Sequence, residues 1–366
     1  MICTMGKLSL RSILPFVVPY EKRTVYMKRT VVALLASAAL FCACSKAVGE
    51  QPVDVILETD MGNDVDDALA LGLAYNYVDA GKMNLLAVML NKEGSAPAEF
   101  VDIMNTFYGH PEIPIGIIRN GAYCEDDAVN YAKAVVDMRN GDGTPVFART
   151  LKDYSSLDEA PVLYRKILSS RPDKSVDIVS IGFSTNLVKL LETGPDGYSS
   201  LSGRELVAQK VRTLVVMAGN FEDSNHHEYN VWKDVPAAKL VLETWPTPVV
   251  ASPFELGIKT CYPASSIEND FGWAPVNPIV EAYKAYLPMP YDRPMWDPTA
   301  LMYAVEGEGW FTMSEKGRIA VTDEGSTIFT PDPEGDRKYM AADSLQARAI
   351  VDRFVELIPF RPARKQ

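Results

Sequence analysis

The chain has 366 residues, 47% of them hydrophobic and 23% charged, an ordinary globular composition that excludes a disordered or fibrous protein. Its formal charge of −12 argues against a nucleic-acid backbone as partner. A small ligand held through its hydroxyls, or through a cation, suits such an acidic chain better.

Met27-Lys28-Arg29 is a short basic run, and residues 30–45 after it carry no charge. That stretch is short for a membrane span and suits the core of a signal peptide. It ends Leu40-Phe41-Cys42-Ala43-Cys44, similar to a bacterial lipobox, with the small Ala43 before the cleavage point and Cys44 as the lipid acceptor. The bulky Phe41 makes Cys42 the poorer acceptor. The expected division is an upstream segment 1–26 left by a start placed too early, a lipoprotein-type signal peptide 27–43, a polar tether 44–52 and one domain 53–366. The mature protein would be exported and lipid-anchored to a bacterial membrane, on the periplasmic or outer face. An ordinary secretory signal or a short membrane anchor is the alternative. Beyond residue 44 the chain has 30 basic and 47 acidic side chains, a net of about −17. Only Cys124 and Cys261 remain there, which permits one disulfide but no disulfide framework.

From Val53 onward, apolar runs of strand length alternate with helical stretches. Residues 53–57 read as a strand and 67–78 as a helix with a small-residue face at Ala68, Gly72 and Ala74. A strand follows at 85–90, a helix at 97–108 and a strand with a proline start at 113–118. The rhythm returns as strand 176–181, helix 186–192, strand 211–217, helix 235–243 and a last helix at 344–358. This alternation predicts a single α/β domain whose mostly parallel central sheet is flanked by helices.

The sharpest local feature is the run Glu58-Thr59-Asp60-Met61-Gly62-Asn63-Asp64-Val65-Asp66-Asp67-Ala68, five acids within ten residues between a strand and a helix. In open α/β sheets, ligands bind at this carboxyl end of the strands. Helix capping accounts for one or two acids. A bound divalent cation offsets the repulsion among the rest, and oxygen donors without His or Cys favour Ca²⁺ or Mg²⁺ over zinc.

The run resembles the D-x-D-P-G-x-D-D-A signature of the inosine–uridine nucleoside hydrolase family, with Glu58 for the first Asp and two residues inserted before Asp66-Asp67. Three later runs match that family's landmarks in order: Ile181-Gly182-Phe183-Ser184-Thr185-Asn186, then Met217-Ala218-Gly219 with Glu228-Tyr229-Asn230, then Trp296-Asp297-Pro298-Thr299-Ala300. The resemblance implies a Rossmann-like nucleoside hydrolase fold and an enzyme that hydrolyses the N-glycosidic bond of ribonucleosides. It further implies Ca²⁺ held by Asp60, Asp67, Asp297 and the carbonyl of Ile181, with Asp60 as general base. Asp66, Glu228 and Asn230 would grip the ribose, Asp64 being the alternative to Asp66. Asn91 is a further candidate for substrate binding, as are Asn220 and Asn225.

Where many members carry a His before the last metal Asp, this chain has Trp296, which resembles the purine-preferring branch and would stack on the base. His226 and His227 stand close to the ribose motif, and Tyr291 and Arg293 just ahead of Trp296. The substrate is then a small nucleoside, with a homo-oligomer as the family's common assembly. Three other readings stay open: a ribosyl-binding lipoprotein without turnover, a hydrolase of another ribosyl compound such as nicotinamide riboside, and a haloacid-dehalogenase-type phosphatase. The last wants a nucleophilic Asp where Glu58 stands.

Overall fold

A computed structural model describes residues 51–122, 129–223 and 225–363. The leader, Cys44 and Cys124 lie outside the described residues. Residues 52–366 form one compact unit.

Its sheet is built from β1 (Val53–Thr59), β2 (Met83–Leu90), β3 (Ile115–Gly116), β4 (Val176–Ser180), β5 (Val211–Met217) and β6 (Val249–Ser252). A two-stranded ribbon pairs β7 (Cys261–Tyr262) with β8 (Arg293–Pro294). The chain then adds β9 (Thr312–Met313), β10 (Gly317–Val321), β11 (Thr327–Pro331) and β12 (Arg337–Ala341). Across the sheet the order is β11-β10-β12-β6-β5-β4-β1-β2-β3, with β9 paired to β12. Every pair from β12 to β3 is parallel, while β10 and β11 are antiparallel additions at one edge.

The strands run apolar on both faces, as a sheet covered by helices on each side requires. Val55 and Leu57 point into one core and Ile56 into the other, the period-two alternation of a strand. Between β1 and β2 the helix Asp66–Asp79 is buried almost all round, as a helix apolar on every side must be. Gly72 lets the helix Pro278–Tyr286 close on it, since a Cβ there would fall 2.7 Å from Ile279 Cδ1.

The strand expected at 113–118 shrinks to Ile115–Gly116. Ile117 turns instead to the start of the helix Ala160–Ser169, donating to Asp158 O at 3.0 Å and accepting from Ala160 N at 2.8 Å.

Strand order reverses at β1: β2 and β3 extend to one side, β4, β5 and β6 to the other. The crevice at the carboxyl ends of β1 and β4 is therefore the topological switch point, where open α/β sheets bind ligands. Asp60 follows β1 and Ile181 follows β4.

Candidate active site

At that crevice, Asp66, Asp67 and Asp297 bring carboxylate oxygens within 4.8 Å of one another. Asp66 and Asp67 open the helix Asp66–Asp79, and Asp297 stands in the first turn of the helix Trp296–Glu306. All three are 5% exposed or less. Burial pushes each carboxyl well above the usual carboxylate range. Neighbouring acids add to it: Asp64 beside Asp66, Asp60 beside Asp67, and Asp66 beside Asp297.

The helix positions are fixed by hydrogen bonds. Asp66 Oδ2 accepts from the backbone N–H of Trp296 at 3.0 Å and of Asp297 at 3.1 Å, so one acid ties the two helix starts together. Thr59 Oγ1 donates to Asp67 Oδ1 and accepts from Met61 N at 3.0 Å. Asp67 Oδ2 is buried and has no hydrogen-bond partner. An orphaned carboxylate oxygen among repelling acids fits a hard divalent cation, because a positive charge offsets both costs. Asp66, Asp67 and Asp297 could hold it, with Asp60 and Ile181 lining the same cavity.

The cavity, of about 370 Å³, also takes in Glu228, Asn230 and Trp296, a size suited to a small ligand. Glu228 caps the helix Tyr229–Lys233, accepting from Asn230 N at 2.8 Å and from Gly219 N and Val231 N at 3.1 Å. Burial lifts its carboxyl to about 7. Asn230 Nδ2 donates to Met217 O at 3.2 Å.

The same cavity also carries an aromatic wall, joined to the acids by the Trp296 backbone N–H that bonds Asp66. Trp296 stacks on Phe254 with ring centroids 5.5 Å apart, and Phe254 meets His226 at 4.0 Å. The indole is held by its N–H, which donates to Phe254 O at 2.9 Å. Gly257 leaves room for it, since a Cβ there would lie 2.0 Å from Trp296 Cδ1.

The family model of the inosine-uridine preferring nucleoside hydrolases matches residues 55–352. The chain belongs to this family. Solved nucleoside hydrolases share its fold: a purine-preferring ribonucleoside hydrolase from Gardnerella vaginalis is 17% identical, with a TM-score of 0.64 over 84% of this chain and 98% of the other. An inosine-guanosine nucleoside hydrolase is 18% identical, with a TM-score of 0.62 over 84% of this chain and 97% of the other. The type III effector protein XopQ, complexed with adenosine diphosphate ribose, is 15% identical, with a TM-score of 0.59 over 85% and 95%. No curated protein matches the chain.

Within this family member, most of the residues expected from sequence converge. Asp60, Asp66, Asp67, Ile181, Glu228, Asn230, Trp296 and Asp297 all line the one cavity. Asp64 lines it too, but its carboxylate is gripped by Arg293, through Nε at 2.9 Å and through Nη2. Asn91 is not among the lining residues; it is fully buried, with Nδ2 donating to Phe183 O at 3.0 Å and Oδ1 unpartnered. Gly182 packs there, because a Cβ would meet Asn91 Oδ1 and Asp60 N at 2.7 Å.

Four further candidates are committed to neighbouring protein groups. Asn220 Oδ1 accepts from Glu222 N and Asp223 N, and Asn225 bonds Asp223. Tyr291 stacks on Tyr283 at 4.3 Å, and Arg293 holds Asp64. Sequence reasoning missed Phe254 and Thr59. Phe254 follows β6, a strand of only four residues, and the strand before it was the one signal that could have found it.

Proposed function

We propose that this chain hydrolyses the N-glycosidic bond of ribonucleosides, purine nucleosides first, to free base and ribose, with Ca²⁺ as cofactor. What carries the reading is a single cavity lined both by a carboxylate cluster with an orphaned Asp67 oxygen and by the stacked rings of Trp296 and Phe254. Ribose offers hydroxyls to the acids, and a purine offers a π-face to Trp296.

Asp66, Asp67 and Asp297 would hold a divalent cation, whose positive charge would lower the pKa of a nearby water. Asp60 takes the proton from the attacking water. Glu228 and Asn230, fixed by backbone hydrogen bonds, hold the sugar hydroxyls and orient C1′ toward that water. Developing positive charge on the ribosyl ring is favoured by the surrounding carboxylates. The purine preference and the choice of Ca²⁺ are supported by the aromatic wall, the all-oxygen donor set, and the purine names of two similar structures.

A second reading, capture of a ribosyl ligand without turnover, is favoured by the likeness to an effector complexed with adenosine diphosphate ribose. One assay separates them. Purified protein is incubated with inosine, adenosine, guanosine, uridine and nicotinamide riboside, with calcium and then with EDTA, and free ribose is measured. The hydrolase releases ribose only with calcium, and Asp60→Asn abolishes release. Ligand binding without ribose from any substrate would replace the hydrolase by the binding protein.

A further inference from the structure

A purine leaves as a poor anion unless a ring nitrogen receives a proton as the glycosidic bond breaks. The position before Asp297, where a histidine could supply it, holds Trp296, whose N–H is committed to Phe254 O at 2.9 Å. Glu228 is unsuited to the task, since its two oxygens accept from three backbone N–H groups. His226 is placed differently. It lines the cavity on the aromatic side, its ring 4.0 Å from Phe254 and tilted by 34°. Its backbone N–H donates to Asp223 O at 3.1 Å, and Glu228, two residues on, is fixed by its own three hydrogen bonds, so the backbone that carries His226 is held on both sides.

Resting on the hydrolase reading, we propose that His226 is the proton donor to the departing base, a catalytic residue supplied by the loop after β5 instead of by the Trp296 helix. The C1′–N9 bond breaks and its electron pair passes into the purine ring. The His226 imidazolium gives its N–H proton to a ring nitrogen of that base. Water oxygen bonds C1′, and the proton it loses goes to Asp60. Solvent then returns one proton to His226 and removes one from Asp60, so the cycle closes without a further reactant. Imidazole suits this task because it exchanges protons near neutral pH. Placing the acid on the aromatic wall also puts it beside the stacked base.

The test uses aglycones with and without need of a proton. Inosine needs one; nicotinamide riboside leaves as neutral nicotinamide and 4-nitrophenyl β-D-ribofuranoside as a stable phenolate. With the calcium-loaded protein, His226→Ala and His226→Gln are expected to lower kcat on inosine about 100-fold or more. Their kcat on the other two substrates stays at the wild-type value, which also shows that the variants fold. Equal losses on all three substrates, or no loss on inosine, would overturn the assignment of His226. A wild-type protein inert toward all three would overturn the hydrolase reading and this one with it.

Discussion

Glu228 is 3% exposed and faces three backbone N–H groups, yet burial still raises its carboxyl from 4.5 to about 7. Between those two values the folded protein holds the proton more tightly than the unfolded chain does. Raising the pH through that window therefore removes stability. Asp66, Asp67 and Asp297 are shifted the same way, so the trend is shared. In cation-free protein, the urea midpoint should fall as pH rises from about 4.5 to about 7, and fall less steeply in Glu228→Gln. An unchanged slope in the variant would show that Glu228 does not carry its part of the shift. At this scale the sequence was informative about residue type and poor about partners. Whether Asp64 or Asp66 grips the ribose stayed open from the loop alone, and the ion pair that holds Asp64 comes from Arg293, 229 positions away, where no local pattern shows it.

The helix Trp296–Glu306 brings Asp297 to the cluster, and its first turn is anchored by Asp66 Oδ2. Without that acceptor, two N–H groups at a buried helix start lose their partner. Asp66→Ala is expected to cost about 1–2 kcal/mol in urea unfolding, within the range for a lost N-cap. Asp66→Asn keeps an amide oxygen as acceptor and should cost less. Equal costs would mean that charge, rather than the acceptor, holds the helix. Elements with an apolar run and clear flanks were legible: β1, β2, β4, β5 and the helices after them lie within a few residues of their expected bounds. The Trp296 helix was not, since Pro298 in its first turn reads as a loop although no intrahelical N–H is needed there. The β10–β11 hairpin also went unread, being an edge addition to an otherwise parallel pattern.

In the whole molecule, the reversal of strand order at β1 gathers residues from position 60 to position 297 into one crevice. The strand-helix rhythm made the parallel sheet legible, but the pairing order that makes the crevice is a long-range property. Because the carboxylates repel one another there, a bound cation should stabilise the fold by mass action, by about 2.7 kcal/mol at a hundredfold excess over Kd. Calorimetry should then show Tm rising with calcium and falling with EDTA, and Asp67→Asn losing the response. A wild-type Tm indifferent to both would remove the cation from the site. The aromatic wall has a consequence of another kind. Of five tryptophans, Trp232 and Trp296 line the cavity, and Trp296 is pinned by its indole N–H. A heterocycle settling against that fixed indole would dim its emission, so the molecule carries an intrinsic optical reporter of its own occupancy.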